Sequence, residues 1–107
     1  MRKDDKMYTE LTLENFDAEV MIEKPVIIDF WAEWCGPCRM MAPVIEEIAE
    51  ERGDVKVCKV NVDEQEELAN RFQVSAIPTV VMLKNGKTIA VSVGYKDKDK
   101  LLESLGI

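Results

Sequence analysis

Residues Phe30–Pro43 read "FWAEWCGPCRMMAP", with Cys35 and Cys38 three positions apart, Gly36 and Pro37 between them and Trp34 just ahead. The residues on either side say where in a fold this stretch belongs. Upstream, Pro25–Ala32 ("PVIIDFWA") is a nearly continuous apolar run, as expected of a central strand covered on both faces. Downstream, Met41, Val44, Ile45, Ile48 and Ala49 recur at helical spacing, which predicts a long helix from the cysteines to Gly53. Glu46, Glu47, Glu50 and Glu51 read as its solvated face. Pro43 cannot donate to the carbonyl of Arg39, so a kink is expected there. The two sulfurs therefore sit where a buried strand hands over to a helix.

The rest of the chain alternates in the same way. "MYTEL" reads as a short first strand, and Thr12 as the cap of a helix carrying Phe16, Val20 and Met21 on one face, with Leu11 and Phe16 as a staple. "VKVCKVNV" (Val55–Val62) is a further strand, and Asp63 with Glu66 resembles a capping box opening a short helix through Phe72. "TVVMLKNGKTIAVSV" is a hairpin turning at Asn85-Gly86 by a type I′ turn. Leu101, Leu102 and Leu105 mark the apolar edge of a last helix. The order is β-α-β-α-β-α-β-β-α. Helical crossovers imply parallel pairing and the hairpin an antiparallel edge, hence an α/β fold with a mixed sheet and helices on both faces.

At 107 residues the chain is expected to be a single domain spanning 1–107, able to bury one core. A net charge of -7 argues against nucleic acid and against anionic membrane surfaces, which need basic patches. No stretch approaches the ~20 apolar residues of a membrane span. The start, "MRKDDKMYTE", has no apolar core of a signal peptide. Three cysteines do not suit a secreted disulfide framework. A cytoplasmic monomer is expected.

Three uses of the Cys35–Cys38 pair differ in what they need. Zinc wants four ligands, and this chain has no histidine and one further, isolated cysteine, Cys58. No metal is expected. A structural crosslink over so short a loop restrains the unfolded chain little. A disulfide meant to be made and broken remains. Residues three apart in the first turn of a helix bring their Cα atoms within the ~4.4–6.8 Å that a disulfide accepts. Cys35 at the helix start meets free N–H groups and the positive end of the macrodipole, which favour its thiolate. Pro37 suits a first turn, and Gly36 removes a side chain that would obstruct a substrate. Cys38, one turn deeper, is expected to be less exposed. Cys35 then attacks a substrate disulfide, and Cys38 resolves the mixed disulfide. Asp29, inside "VIIDFW", reads as a buried carboxyl whose raised pKa lets it hold or accept a proton near neutral pH. Cys58, in an apolar strand, reads as a buried inert thiol.

"DFWAEWCGPC", followed by "IPT" at Ile77–Thr79, resembles the thioredoxin family, from Val26 to Gly94 most strongly. The resemblance implies a thioredoxin fold, a five-stranded sheet flanked by four helices. It implies that Asp29 takes the proton of Cys38, with Lys59 as the lysine near that aspartate, and that the Ile77–Pro78 bond is cis beside the cysteines. Ile77 would then pair with an extended substrate segment. Trp34, Gly36, Pro37, Ile77 and Gly94 would surround Cys35 as a small apolar patch, while Trp31 packs inside. Gly-Pro between the cysteines, in place of a thiolate-stabilising histidine, implies a reductant. No resident cofactor is expected. The implied partners are a thioredoxin reductase, flavin- and NADPH-dependent or ferredoxin-linked, and clients such as peroxiredoxin, methionine sulfoxide reductase or ribonucleotide reductase. Three other readings stand beside this one: an adaptor that uses the fold without its thiols, a metal-handling CxxC protein, and a disulfide oxidase or isomerase.

Overall fold

The computed structural model describes residues 7–107. Along them run β1 (Thr9–Glu10), α1 (Phe16–Val20), β2 (Val26–Trp31), α2 (Gly36–Glu51), β3 (Lys56–Asn61), α3 (Glu66–Arg71), β4 (Thr79–Lys84), β5 (Lys87–Val93) and α4 (Lys98–Leu105). The strands form one five-stranded sheet in the order β1-β3-β2-β4-β5. β3 pairs in parallel with both β1 and β2, and β4 runs antiparallel to β2 and β5. The apolar run "VIIDFW" is thus the middle strand, which is why it shows no alternation with polar residues.

Successive side chains of each strand point to opposite faces, and each face has its own helices. Ile28, Phe30, Cys58 and Val81 pack with Phe16 of α1 and Leu68 of α3. Ile27, Val57, Val80 and Met82 pack with Met41, Ile45 and Ile48 of α2 and with Leu101 and Leu105 of α4. The helical spacing read from α2 falls on this buried face, and Pro43 lies inside the helix. Phe30 is fully buried, its ring 5.4 Å from that of Phe72. The hairpin turns as its sequence demands: Asn85 and Gly86 both have positive φ, 52° and 79°, the requirement of a type I′ turn.

Three local expectations are corrected. Thr12 is not the cap of α1, because the helix begins later, with Asn15 in the N-cap position. Thr12 and Asn15 instead close a reciprocal turn: the N–H of Thr12 donates to Asn15 Oδ1 (2.7 Å) and the N–H of Asn15 to Thr12 Oγ1 (3.2 Å). Met21 is 62 % exposed rather than part of the buried face, since the helix stops at Val20. Asp63 does not cap α3, whose N-cap position is Gln65. The carboxylate of Asp63 is occupied elsewhere, as described next.

Candidate active site

Cys35 is the N-cap residue of α2, with extended backbone. Its Sγ accepts the N–H of Cys38 at 3.2 Å, so the sulfur takes the place of a capping oxygen. Cys35 and Cys38 are joined as a disulfide, their Cα atoms 5.2 Å apart. Pro37 lies in the first turn, where the N–H it lacks has no helical partner. No carboxylate stands in that turn to oppose a thiolate. A Cβ on Gly36 would meet nothing within 4 Å, so the space beside Gly36 is open. The expected contrast in exposure does not appear in the disulfide form, with Cys35 at 4 % and Cys38 at 3 %. Their difference is positional: one precedes the helix and the other lies within it.

Asp29 is 1 % exposed, and burial lifts its pKa from 3.8 to about 6, a rise that the charge of Lys59 only partly offsets. Ile27, two residues earlier, packs against α2, so alternation turns Asp29 to the same side, towards the cysteine end of that helix. Lys59 is the direct partner of Asp29 in the β2–β3 register and is itself only 7 % exposed. The Lys59 ammonium lies over the rings of Tyr8 and Trp31, 4.9 Å from each centroid.

The Ile77–Pro78 bond is cis, as the resemblance implies, and the Ile77 carbonyl oxygen lies 3.8 Å from Cys35 Sγ. Gly94, with φ of 91°, donates its N–H to the Pro78 carbonyl at 2.8 Å, which ties the end of β5 to this segment. Trp34 is 68 % exposed, and its indole N–H donates to Asp63 Oδ2 at 2.8 Å. Between Trp34 and Ile77 runs a cleft of about 300 Å³, also lined by Val62, Ala69, Val74, Ser75 and Ala76. Trp34 and Ile77 thus border one cleft, whereas Gly36, Pro37 and Gly94 do not line it. The other lining residues come from short segments around α3 whose sequence shows no site pattern. Their only sequence signal is small and apolar residues just before the "IPT" stretch.

The thioredoxin family model matches residues 7–106. The chain belongs to the thioredoxin family. It is 49 % identical to the thioredoxin of Alicyclobacillus acidocaldarius over 92 residues, 85 % of this chain and 88 % of that one. It is 48 % identical to a bifunctional thioredoxin reductase/thioredoxin of Mycobacterium leprae over 98 residues, 90 % of this chain and 21 % of that much longer one. The crystal structure of Malassezia sympodialis thioredoxin superposes with a TM-score of 0.83 at 39 % identity, covering 90 % of this chain and 85 % of the other. Membership of the thioredoxin family and the Cys35–Cys38 bond together make this chain a thiol–disulfide oxidoreductase.

Within this thioredoxin fold the third cysteine is sealed off. Cys58 is 0 % exposed, and burial pushes its thiol up to about 12, far from the thiolate that disulfide exchange requires. Among the described residues no group of three or more His, Cys, Asp or Glu is placed to hold a metal ion. No helix among them is long and apolar enough to cross a membrane.

Proposed function

We propose that the chain, acting as one domain, reduces disulfides in other proteins, with Cys35 as the attacking sulfur, Cys38 as the resolving one and Asp29 as the proton acceptor. The observation that carries this is the position of Cys35, which caps α2 with its sulfur next to the open space at Gly36. The Cys35 thiolate attacks a client S–S bond, forms a mixed disulfide and expels one client thiolate. Cys38 gives its proton to the Asp29 carboxylate and attacks Cys35 Sγ. The second client sulfur leaves, and two electrons have passed to the client. Asp29 suits this work because its pKa of about 6 lies near neutral pH.

The client approaches as an extended segment. The backbone of Ile77, at the sulfur, offers it a strand partner, and Trp34 and the neighbouring cleft offer apolar contact. Lys59 tunes Asp29 through its charge. The reductant that restores the dithiol is a thioredoxin reductase, a partner fused to a thioredoxin in the Mycobacterium leprae relative. Peroxiredoxins, methionine sulfoxide reductases and ribonucleotide reductase are the client classes, and the setting is the cytoplasm, with the protein a monomer.

Reduction of insulin disulfides, combined with a redox-buffer titration of Cys35–Cys38, tests activity and direction together. Catalysed insulin precipitation with a reducing potential is the expected result. An oxidising potential would assign the chain to oxidase or isomerase work. A Cys35→Ser/Cys38→Ser variant that kept full biological function would assign it to an adaptor role.

A further inference from the structure

Lys59 is a cation held almost wholly out of water; its register partners in the sheet are Glu10 on β1 and, on β2, Asp29, directly opposite. Paired strands lie only ~4.8 Å apart, so a lysine side chain can reach the carboxylate opposite. Among the described residues it does not. No ion pair or hydrogen bond joins the two side chains, and Asp29 Oδ1 is buried with no hydrogen-bond partner. The Lys59 ammonium instead stands 4.9 Å from the ring centroid of Tyr8 and 4.9 Å from that of Trp31. Both distances fall inside the ~6 Å over which an aromatic face attracts a cation, an attraction that grows as the site is desolvated.

We propose that Tyr8 is a positioning residue for catalysis: with Trp31 it draws the Lys59 ammonium off Asp29, leaving the carboxyl free to exchange a proton with Cys38. The proposal rests on the proton-acceptor reading of Asp29 given above. An ammonium in contact with a buried carboxylate stabilises the charged form and makes it a weaker base. A carboxylate left without that contact keeps its proton affinity near neutral pH. The rings therefore compete with Asp29 for one cation.

Tyr8 is the informative member of the pair. Trp31 also packs against the cysteines, so replacing it disturbs the disulfide itself. Tyr8 stands just before β1 and packs against the α2-side core rather than the cysteine cluster. Among the described residues the other charged groups near Lys59 are Glu10 of β1, Glu33 between β2 and α2, and Glu64 ahead of α3, which line the cleft of about 170 Å³ over its side chain. From α2 the titrating group on this side is Cys38 once reduced. These groups stay the same when Tyr8 alone is changed.

The experiment compares Tyr8→Leu with Tyr8→Phe in the full reduced chain. It follows the Asp29 carboxyl by carbon NMR through a pH titration. It also follows the pH profile of client release from a preformed Cys35 mixed disulfide. Tyr8→Leu is expected to lower the Asp29 midpoint by about one unit, as a desolvated cation–π contact is exchanged for an ion pair. The release profile should shift the same way. Tyr8→Phe, which keeps the ring and loses only the hydroxyl, should titrate like the parent. In a Lys59→Met background, Tyr8→Leu should no longer lower the midpoint. A midpoint that stays or rises in Tyr8→Leu, or that moves equally in Tyr8→Phe, overturns the proposal. A midpoint that falls while the release profile stays put overturns the catalytic reading of Asp29, and the positioning claim with it, but leaves the competition for Lys59 established. Tyr8→Met serves in place of Tyr8→Leu should the latter fail to fold.

Discussion

The sulfur of Cys35 lies 3.8 Å from the carbonyl oxygen of Ile77, a residue 42 positions later in the chain. The fold thus sets a backbone acceptor beside the sulfur proposed to attack. A client strand that pairs with this acceptor brings its own sulfur within reach of Cys35. Removing the resolving sulfur should then halt the reaction midway. Cys38→Ala is expected to accumulate a covalent client adduct on Cys35, and Cys35→Ser to accumulate none. Intact-mass spectrometry under non-reducing conditions reads both.

Asp29 should weaken the fold at neutral pH. Its folded pKa, about 6, lies above the ordinary 3.8, so the folded chain binds the proton more tightly than the unfolded one. That advantage is fully present below pH 3.8 and is lost as pH rises through about 6. Above that, the ionised carboxylate is buried at a cost of about 3 kcal/mol. Asp29→Asn should therefore raise stability at pH 7 by up to that amount and change it little at pH 3.5. Denaturant unfolding at the two pH values decides the matter. The same variant should slow release of client from the mixed disulfide on the order of 10²-fold at pH 7.

Trp34 is exposed, and its indole is oriented by Asp63. Trp34→Ala should alter stability by less than about 0.5 kcal/mol. It should nevertheless raise KM for a protein client several-fold, because the ring forms one wall of the cleft. Steady-state insulin reduction beside a urea melt separates the two effects.

Gly86 occupies the left-handed position of the β4–β5 turn, and a Cβ there would lie 2.7 Å from Met21 Sδ. Met21 is the far end of a flexible side chain and can move aside, so the backbone conformation carries the cost. Gly86→Ala should destabilise by about 1 kcal/mol with redox activity unchanged, as thermal melts and the insulin assay would show.

Much of this arrangement could be read from residue order alone, and the reason differs by element. β2 announced itself because a strand buried on both faces must be apolar throughout, and α2 because only one of its faces is buried. Asn85-Gly86 fixed its own turn through the positive φ it tolerates. The catalytic pair was legible because spacing and helix geometry act over three residues. Short polar caps were not. Thr12 bonds to Asn15 instead of capping the helix, and Asp63 accepts from Trp34, a partner 29 positions away that no local pattern reveals. The cleft lining and the rings over Lys59 were hidden for the same reason, since contacts between distant segments leave no periodic mark.

Cys58 sits in β3 between β1 and β2, with no route for a reagent while the strands stay paired. The molecule therefore holds a silent label in its interior. An alkylating agent added to the reduced chain should modify Cys35 first, and Cys58, the third sulfur along the chain, only when the sheet separates. The lag of that last event is a stopwatch for global opening, available without adding any foreign probe.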